Sequence, residues 1–421
     1  MEIIRTIKGT NDLLPGESFR WQFAEALIRS QSSRFGFREI RTPIFESTAL
    51  FSRGIGELTD IVSKEMYTFP DRGGNSLTLR PEMTASVMRS FIQHRLDQDG
   101  GVQKLFYIGP MFRAENVQKG RLRQFHQWGV ECVSAEGPAA DAEVIALMIR
   151  TLAAFGLTNL TLRINSVGDE QCRPVYREAL RTFFTPVKDQ LCPTCQGRLE
   201  NNPMRILDCK SQVCQTLAKG APSILDYLNE DCRTHFETLQ SLLNALNIAY
   251  VIDDRLVRGL DYYTKTAFEV TSNDLGSQNA VGGGGRYDLL VSQLGGKPTP
   301  SVGFAIGLER LFIILEELKL NPGWVAPVPD LYIALLDREA RMAAASVIDT
   351  LRTEGLSVEY DLMNRSLKAQ LREADRLGSR FVVVIGSQEL SSGQFRLKNM
   401  QTGTEQVLPV QEWVQAIRRE K

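Results

Sequence analysis

Long apolar runs are absent from this 421-residue sequence. None approaches the roughly 20 consecutive residues that a helix needs to span a bilayer. The N-terminus also lacks a basic segment followed by an apolar stretch, so it shows no secretory signal. We therefore expect a cytoplasmic protein without a membrane partner. With 43% hydrophobic and 24% charged residues the composition is that of an ordinary globular protein, and the length predicts two or three domains.

Net charge is nearly absent as well, at −1 with histidine neutral. Proteins that coat nucleic acid without regard to sequence are usually strongly basic, so this class is disfavoured. The balance says little against a protein that recognises a structured RNA by its shape, because local basic patches are sufficient for that task.

The seven cysteines are an odd number scattered through a large chain, which fits reduced thiols and not a disulfide framework. Cys192 and Cys195 form a C-x-x-C pair, and Cys209 and Cys214 follow it. This spacing fits a tetrahedral zinc site, although the second pair is more loosely spaced than in the strongest zinc motifs. Reduced structural cysteines in an inserted subdomain fit the same spacing, so both interpretations stay open.

The stretch from Tyr107 to Glu131 concentrates charged and amide side chains between apolar ends. Alternating polar and apolar residues around a polar, glycine-containing loop predict two antiparallel strands and a hairpin tip. Arginine matters most here, because its planar fork matches phosphate geometry with paired, charge-assisted hydrogen bonds. Taken alone, the span also fits a solvated charged hairpin. Its polar residues are Arg113, Glu115, Lys119, Arg121, Arg123, Gln127 and Glu131.

Five further segments change this interpretation. They are KGTNDLLP (8–15), PEMTA (81–85), LVRGLDYYT (256–264), AVGGGGRYD (280–288) and VGFAIGLERL (302–311). Together with the hairpin they resemble the histidyl-tRNA synthetase family over essentially the whole chain. LVRGLDYYT is the most specific element, because it is similar to a motif that other class II synthetases do not share. PMFRAE and GLER are less specific, since they resemble class II synthetases in general.

This resemblance implies an α+β catalytic domain with an antiparallel sheet, a helical insertion and a C-terminal α/β domain of the anticodon-binding type. Strand–helix alternation after a proline-rich linker, with a helix at 338–353 and a buried strand at 381–385, predicts a largely parallel sheet in that last domain. The expected boundaries are 1–170 and 248–320 for the catalytic core, 171–247 for the insertion, 321–329 for the linker and 330–421 for the anticodon-binding domain.

The implied reaction has two steps. L-Histidine and ATP give histidyl-adenylate and pyrophosphate, and a ribose hydroxyl at the 3′ end of the histidine tRNA then takes the histidyl group. The amino acid's carboxylate is already ionised at neutral pH, so the first step needs alignment and positive charge but no general base. The many arginines, and the lack of a nucleophile–His–Asp arrangement, fit that demand. Magnesium would accompany ATP as part of the substrate, and no tightly bound cofactor is expected.

The resemblance also assigns individual side chains to ATP. Arg113 and Arg258 are matched with two arginines that approach the α-phosphate from opposite sides, and we expect them to be the catalytic residues. The other implied ATP contacts are Arg121 to the γ-phosphate, Glu115 to the adenine amino group, Phe125 stacked on the adenine ring and Arg310 at the far end of ATP.

A second group of side chains is assigned to histidine by the same resemblance. A carboxylate and a phenol can accept from one ring nitrogen and donate to the other, and such a pocket rejects amino acids without these groups by about 10⁴–10⁵. Glu82, Thr84 and Gln127 are matched with the α-amino end and Glu131, Tyr262 and Tyr263 with the ring, while Met83, Arg113, Arg258 and Tyr287 complete the set.

Two partners besides the small substrates are implied. The acceptor end of the tRNA is expected near Gln118 in the hairpin loop, and its anticodon at the C-terminal domain. The helix at 17–34 and the strand at 37–41 resemble the motif that builds the family's dimer interface, so a homodimer is expected.

A basic stripe is the feature of the C-terminal domain that fits a tRNA contact. Helical spacing predicts that Leu367, Leu371 and Ala374 lie on the opposite side of the same helix. Phosphate contacts at Lys368 and Arg372 and a merely solvated helix face explain the stripe equally well. The stripe consists of Arg365, Lys368, Arg372, Arg376 and Arg380.

Three positions depart from the family pattern. Val117, Leu122 and Leu289 leave the rigidity of the hairpin loop and its acceptor-stem contacts open.

Two alternative functions fit parts of the sequence. The first is a catalytically silent, histidine-sensing regulatory paralogue of ATP phosphoribosyltransferase, which typically lacks the anticodon-type domain and loses ATP-binding residues. This sequence has both the domain and those residues. The second is a synthetase for proline, threonine or glycine, but Glu131 with its matched tyrosines favours an imidazole.

Overall fold

The computed structural model describes residues 3–56, 59, 61–98, 100–257, 262–272 and 280–420. The chain forms two compact units, Met1–Trp324 and Val325–Lys421. The finer expected division of the first unit into a core and an insertion stays a prediction. No helix among the described residues is both long enough and apolar enough to cross a membrane.

A large mixed sheet organises the first unit. Its strands within the described ranges are β1 (Arg38–Glu39), β5 (Gln103–Phe112), β6 (Gln124–Val133), β7 (Thr161–Ser166), β8 (Val251–Ile252), β9 (Thr264–Thr271), β10 (Ala280–Arg286) and β11 (Ser301–Gly307). They are ordered β1-β5-β6-β11-β10-β9-β7-β8. The interior pairs are antiparallel, as expected, whereas the edge pairs β1–β5 and β7–β8 are parallel. A smaller sheet, ordered β2-β4-β3, consists of β2 (Phe45–Ser47), β3 (Tyr67–Pro70) and β4 (Ser76–Leu79).

Helices cover this sheet. The α-helices of the first unit, in the part of the chain that is described, are α1 (Pro15–Arg34), α2 (Thr48–Ile55), α3 (Thr84–Gln93), α4 (Pro138–Ala154), α5 (Cys172–Phe184), α6 (Pro193–Asn201), α7 (Gln212–Ala218), α8 (Glu230–Ala245), α9 (Leu290–Gln293) and α10 (Leu308–Glu317). A π turn at Ile61–Glu65 and 3₁₀ turns at Thr185–Gln190, Pro203–Ile206 and Ile224–Tyr227 complete them. The helical pattern predicted between 171 and 247 is confirmed by α5 to α8.

Strands β5 and β6 form the predicted hairpin. They pair without a register shift from Gln103 opposite Val133 to Phe112 opposite Gln124. Because side chains alternate between the faces of a strand, Phe125, Gln127 and Glu131 lie on one face of β6. The hairpin therefore aligns three predicted site residues along a single strand.

A buried ion pair joins α4 to the end of β10. Arg286 and Asp141 are both fully buried, and Nη2 of Arg286 lies 2.5 Å from Oδ2 of Asp141. Arg286 also bonds Asp288 at 3.1 Å and two backbone carbonyls, while His235 lies 3.4 Å from Oδ1 of Asp141. Burial opposes ionisation, but the bonds from His235 and Arg286 hold the pKa of Asp141 below its usual value.

The second unit has its own sheet and helices. Residues 330–420 contain β12 (Leu331–Leu335), β13 (Val358–Tyr360), β14 (Phe381–Ile385), β15 (Phe395–Asn399), β16 (Glu405–Leu408), α11 (Arg338–Thr353), α12 (Leu367–Arg376), α13 (Ser387–Ser392), a 3₁₀ turn at Val410–Glu412 and α14 (Trp413–Arg419). The strand order is β13-β12-β14-β15-β16. Strand β12 runs parallel to both neighbours, but β15 is antiparallel to β14 and to β16. The expectation of a largely parallel sheet is therefore wrong for this half. The short turn between β15 and β16 can join only antiparallel strands, whereas α13 connects β14 to β15.

Helix α12 faces the sheet differently from the prediction. Ala374 is buried as expected, but Leu367 and Leu371 are 36% and 37% exposed. The fully buried Gln370 takes the inner position, because its amide pairs with both the N–H and the C=O of Leu335 at 2.9 Å. A polar side chain that satisfies a strand end thus displaces two leucines from the core.

Candidate active site

A cavity of about 470 Å³ lies among the β5–β6 hairpin, strands β9 to β11 and the start of α10. It brings together most of the predicted site residues that are described. Those on its wall are Glu82, Thr84, Arg113, Glu115, Arg121, Phe125, Gln127, Tyr262, Tyr263, Tyr287 and Arg310. Met83 and Glu131 are each 1% exposed beside this wall. Arg258, the second predicted catalytic arginine, lies outside the described residues.

One end of the cavity is strongly cationic. Arg113, Arg121, Arg310 and Lys210 line it. The pKa of Arg310 is lowered by burial and by the charges of Arg121 and Arg113. The pKa of Lys210 is lowered by burial and by Arg121 and Arg310. These like charges destabilise one another although Glu115, Asp208 and Glu269 on the same wall offset part of them, so this end favours an anion with several negative charges.

Arg310 is held in place by the backbone. Its Nε donates to the carbonyl of Gly120 at 3.1 Å and its Nη1 to the carbonyl of Ala280 at 2.9 Å. The first carbonyl belongs to the hairpin loop and the second to β10. Because Arg310 lies in the first turn of α10, it fixes the loop and the strand around the cationic end.

Arg113 is oriented from one side. Its Nε donates to the carbonyl of Pro81 at 3.0 Å, and its guanidinium lies 5.2 Å from the ring centroid of Phe125. The described residues supply no further hydrogen-bond partner for its terminal nitrogens. A guanidinium that is anchored at Nε keeps its two parallel terminal N–H groups for a bidentate acceptor. Glu115 and Arg121 pair with each other at 3.2 Å.

The opposite end of the cavity is polar and largely closed. Glu82 accepts from the backbone N–H groups of Thr84 and Ala85 at 2.7 and 3.0 Å, which fixes its carboxylate at the start of α3. Burial raises the pKa of Glu82 against those bonds and the charge of Arg113. Oε1 of Gln127 is buried without a partner among the described residues. A buried acceptor of this kind favours a ligand that brings an N–H donor.

Glu131 lies in a network with tyrosines. The hydroxyl of Tyr287 donates to Oε2 of Glu131, and that of Tyr107 lies 3.3 Å from Oε1. Burial raises the pKa of Glu131 to about 8. Gly303 makes this arrangement possible, because an added Cβ there would lie 2.1 Å from Oε2 of Glu131. The ring of Tyr262 packs 5.5 Å from that of Tyr287 and closes the same end.

Replacing Glu131 by Gln is expected to stabilise the fold increasingly as pH rises. Between the ordinary pKa of 4.5 and about 8, the folded carboxyl keeps a proton that the unfolded chain has lost. Parental stability therefore falls with rising pH across that interval, whereas glutamine does not titrate. Melting temperatures measured from about pH 5 to 8 should diverge in favour of the variant. Glu405→Gln, at an exposed position, is the control. If the melting temperature of Glu131→Gln fell relative to that of the parent protein as pH rises, the raised pKa of Glu131 would be contradicted.

Several residues of the site were missed in the sequence. Tyr107, Asp208, Lys210 and Glu309 line the same cavity, and Glu309 also accepts from the backbone N–H of His126 at 2.9 Å. The alternation of β5 could have indicated Tyr107, and the GLER motif Glu309. Nothing in the sequence pattern connects Asp208 and Lys210, which belong to the cysteine-rich helical region, with the hairpin.

The residues predicted to contact tRNA lie outside this cavity. Gln118 lines a separate cavity of about 320 Å³ with Asn11, Asp12 and Trp21. In the second unit, Lys368 and Arg372 border a shallow depression with Leu367 and Leu371. Arg365, Arg376 and Arg380 are instead paired with Asp361, Glu373 and Asp330. Only part of the basic stripe therefore stays available for a phosphate.

Comparison with known proteins covers both units. The family model of histidyl-tRNA synthetase matches residues 9–169 and 208–311, and that of the anticodon binding domain matches 330–420. Histidine–tRNA ligases of Desulforamulus reducens and Caldanaerobacter subterraneus subsp. tengcongensis are each 49% identical, over 410 and 415 residues, with 97% and 98% of both sequences covered. The apo histidyl-tRNA synthetase of S. aureus is 39% identical with a TM-score of 0.84, covering 99% of this chain and 100% of that one. With its cationic and polar ends meeting in one cavity, and with this similarity along its whole length, the chain belongs to the histidyl-tRNA synthetase family.

Proposed function

We propose that the chain is an ATP-dependent histidine–tRNA ligase. The histidine carboxylate forms a bond to the α-phosphorus of ATP while pyrophosphate leaves, which gives histidyl-adenylate. A ribose hydroxyl of the tRNA 3′ end then attacks the acyl carbon, AMP leaves, and histidyl-tRNA is released. Magnesium enters with ATP, bound to its phosphates. The full-length similarity to histidine–tRNA ligases supports this function over the regulatory alternative.

One observation carries the proposal: three arginines and a lysine crowd one end of the cavity whose other end is lined by buried hydrogen-bonding groups. The cationic end suits a triphosphate, since positive charge there also balances the charge that develops as pyrophosphate departs. The polar end suits a small zwitterion with a ring. A single cavity with both ends holds the two reactants of the first step at contact distance.

On the ATP side, Arg113 would bind the α-phosphate through its terminal nitrogens. Arg121 and Arg310 would bind the outer phosphates, with Lys210 as a fourth cation. Phe125 and Glu115 would receive the adenine ring and its amino group, for which the Glu115–Arg121 pair would have to loosen. Arg258 is proposed as the second arginine at the α-phosphate on the family resemblance alone.

On the histidine side, Glu82, Thr84 and Gln127 would bind the ammonium group, with Met83 packed beside them. The free acceptor of Gln127 and the anchored carboxylate of Glu82 support this orientation. Glu131, Tyr262, Tyr263 and Tyr287 would surround the imidazole. A site of this kind leaves buried polar groups unpaired when another amino acid enters, which explains how it could discriminate without editing.

Amino-acid-dependent pyrophosphate exchange tests the function directly. With ATP and labelled pyrophosphate, we expect exchange with histidine and background rates with proline, threonine and glycine. Histidine binding without any exchange would favour the regulatory alternative. Exchange that depends on another amino acid would overturn the choice of substrate.

The tRNA is proposed to contact the second unit through Lys368 and Arg372. Reversing both charges to Glu should weaken tRNA binding and lower the slope of log affinity against log salt by about two, one for each lost phosphate contact. Filter binding across a salt series measures both quantities. Arg396→Glu, at an exposed position of β15, is the control. An unchanged slope in the double variant would mean that the basic residues of α12 are solvated and do not contact the tRNA.

A homodimer in the cytoplasm completes the proposal. Exposed apolar side chains in and beside the small sheet, Ile44, Phe45 and Phe69, support an interface there, next to the segment that resembles the dimer motif. The absence of disulfides among the seven cysteines supports a reducing compartment. Sedimentation equilibrium should give twice the chain mass of 47.2 kDa, and a single-chain mass would count against the dimer.

A further inference from the structure

Four cysteines of the helical region point their sulfur atoms at a common centre. The Sγ atoms of Cys192, Cys195, Cys209 and Cys214 all lie within 4.8 Å of one another, and those of Cys192 and Cys209 are 3.8 Å apart. No pair of them is joined in a disulfide. In a tetrahedral zinc site with Zn–S bonds of about 2.3 Å, neighbouring sulfurs are separated by about 3.8 Å. The thiols therefore already have nearly the spacing that the ion imposes.

Backbone groups around the cluster are arranged for thiolates. The N–H of Cys192 donates to Sγ of Cys214 at 3.3 Å, and the N–H of Ser211 donates to Sγ of Cys209 at 3.4 Å. Hydrogen bonds to a coordinating sulfur orient it and moderate its charge, as outer partners do in metal sites generally. Since the N–H of Asn229 also donates to Sγ of Cys172, the convergence of four sulfur atoms, and not these bonds, carries the assignment.

A second group of potential ligands shows what a purely structural arrangement looks like. Asp169, Cys172 and Cys232 also lie close together. The carboxylate of Asp169, however, already accepts from the backbone N–H groups of Gln171 and Cys172 and from the amide of Asn229, each at 2.9 Å. These bonds fix the start of α5, so that the group has a function without a metal. The four-cysteine cluster has no such explanation.

We propose that Cys192, Cys195, Cys209 and Cys214 bind one structural Zn²⁺ through four thiolates. Four sulfur ligands in a closed tetrahedron are the donor set of structural zinc sites, and they leave no open position for chemistry. The ion would fasten the start of α6 and its first turn to α7 and to the segment before it.

The helices that the ion would join are too short to be stable by themselves. Helix α6 has nine residues and α7 has seven. Isolated helices below about 12–15 residues are marginal in water, and small modules commonly depend on a metal or a disulfide for this reason. A zinc ion would thus add a cross-link to the apolar cluster in which α6 and α7 pack with α5.

The cluster also lies directly beside the proposed active site. Cys209 stands between Asp208 and Lys210, and both of these residues line the 470 Å³ cavity. Because a bound Cys209 cannot shift without its neighbours, the ion would position Lys210 at the cationic end. This second part rests on the proposed function, whereas the metal site does not.

Metal analysis of the full-length protein tests the site without reference to catalysis. We expect one zinc per chain after purification under reducing conditions, and its loss in Cys192→Ser and Cys214→Ser. The control Cys132→Ser, in buried β6, should keep the metal. Since a serine variant could misfold, X-ray absorption of the parent protein provides a second measurement and should show four sulfurs at about 2.3 Å. A parent protein with free thiols and no metal, with iron, or with nitrogen or oxygen ligands would overturn the proposal.

The kinetics of pyrophosphate exchange distinguish the metal site itself from its proposed effect on the position of Lys210. Zinc removal by a chelator should raise the Michaelis constant for ATP several-fold while that for histidine changes little, and added zinc should restore it. A protein that contains zinc but shows no histidine-dependent exchange would refute the function and leave the metal site intact. Exchange that is unaffected in protein shown to lack zinc would refute the positioning of Lys210.

Discussion

Histidine-dependent pyrophosphate exchange is expected to slow about 10²–10³-fold when Arg113 is replaced by Gln. The guanidinium is anchored at Nε by the carbonyl of Pro81 and lies over Phe125, so its terminal nitrogens face the cavity in a fixed orientation. Glutamine can neither carry the charge nor present two parallel donors to a phosphate. Because that charge is needed most as the phosphoryl oxygens become more negative, the loss should fall mainly on kcat.

Two comparisons make this expectation specific. Arg396→Gln removes an arginine that is 69% exposed and pairs with Glu405, and it should leave exchange within about twofold. Equilibrium binding of histidine to Arg113→Gln, measured without ATP, should weaken much less than exchange does, because Arg113 is only one of several residues implied to contact histidine. An equal loss in both variants, or a loss confined to histidine binding, would remove Arg113 from the phosphoryl step.

The second large effect concerns stability. Replacing Asp141 by Asn should lower the free energy of unfolding of the first unit by about 3–5 kcal/mol, because it removes the fully buried counter-charge of Arg286 and leaves that guanidinium with Asp288 as its remaining carboxylate partner. The pair is completely enclosed, and Asp141 is bonded to His235 as well. Asparagine keeps the shape of the side chain, so the change isolates the charge.

Urea unfolding followed by tryptophan fluorescence is the appropriate measurement. Trp21, Trp128 and Trp324 lie in the first unit and only Trp413 in the second, so the signal reports mainly the unit that contains the pair. Glu178→Gln breaks an exposed ion pair with Arg181 in the same unit and should change stability by less than about 1 kcal/mol. A comparably small effect of Asp141→Asn would mean that water or backbone carbonyls compensate the buried arginine.

The parts of the fold that were predictable have strong local patterns. The boundaries of α11 and β14 agree with the predicted ranges of 338–353 and 381–385, because one is amphipathic over four turns and the other is a continuous β-branched run. The hairpin was likewise visible as alternation around a polar loop. The strands β15 and β16 were missed. Strand β15 alternates buried and exposed residues but is only five residues long, and β16 is a four-residue, mostly exposed edge strand.

The site residues likewise fall into those that sequence motifs predicted and those that no local pattern could predict. Motif segments allowed Arg113, Gln127 and Tyr263 to be assigned to one pocket although they are distant in sequence, but only through resemblance. Lys210 could not be found, because its position depends on how a cysteine-rich module packs against the sheet and not on any local pattern. The inward position of Gln370, in place of two leucines, was equally hidden, since it depends on the end of β12.

The absence of a side chain at Gly303 limits how this protein could change in evolution. Even one methyl group there would meet the carboxylate of Glu131 at 2.1 Å and the hydroxyl of Tyr287 at 2.9 Å. A single substitution at this position cannot therefore reshape the pocket gradually, because each would displace Glu131 or Tyr287, the groups proposed to surround the imidazole. A protein that evolved towards another amino acid would have to change residues of β6 and β11 together. Because two changes are needed at once, a gradual shift of amino-acid specificity is disfavoured at this position.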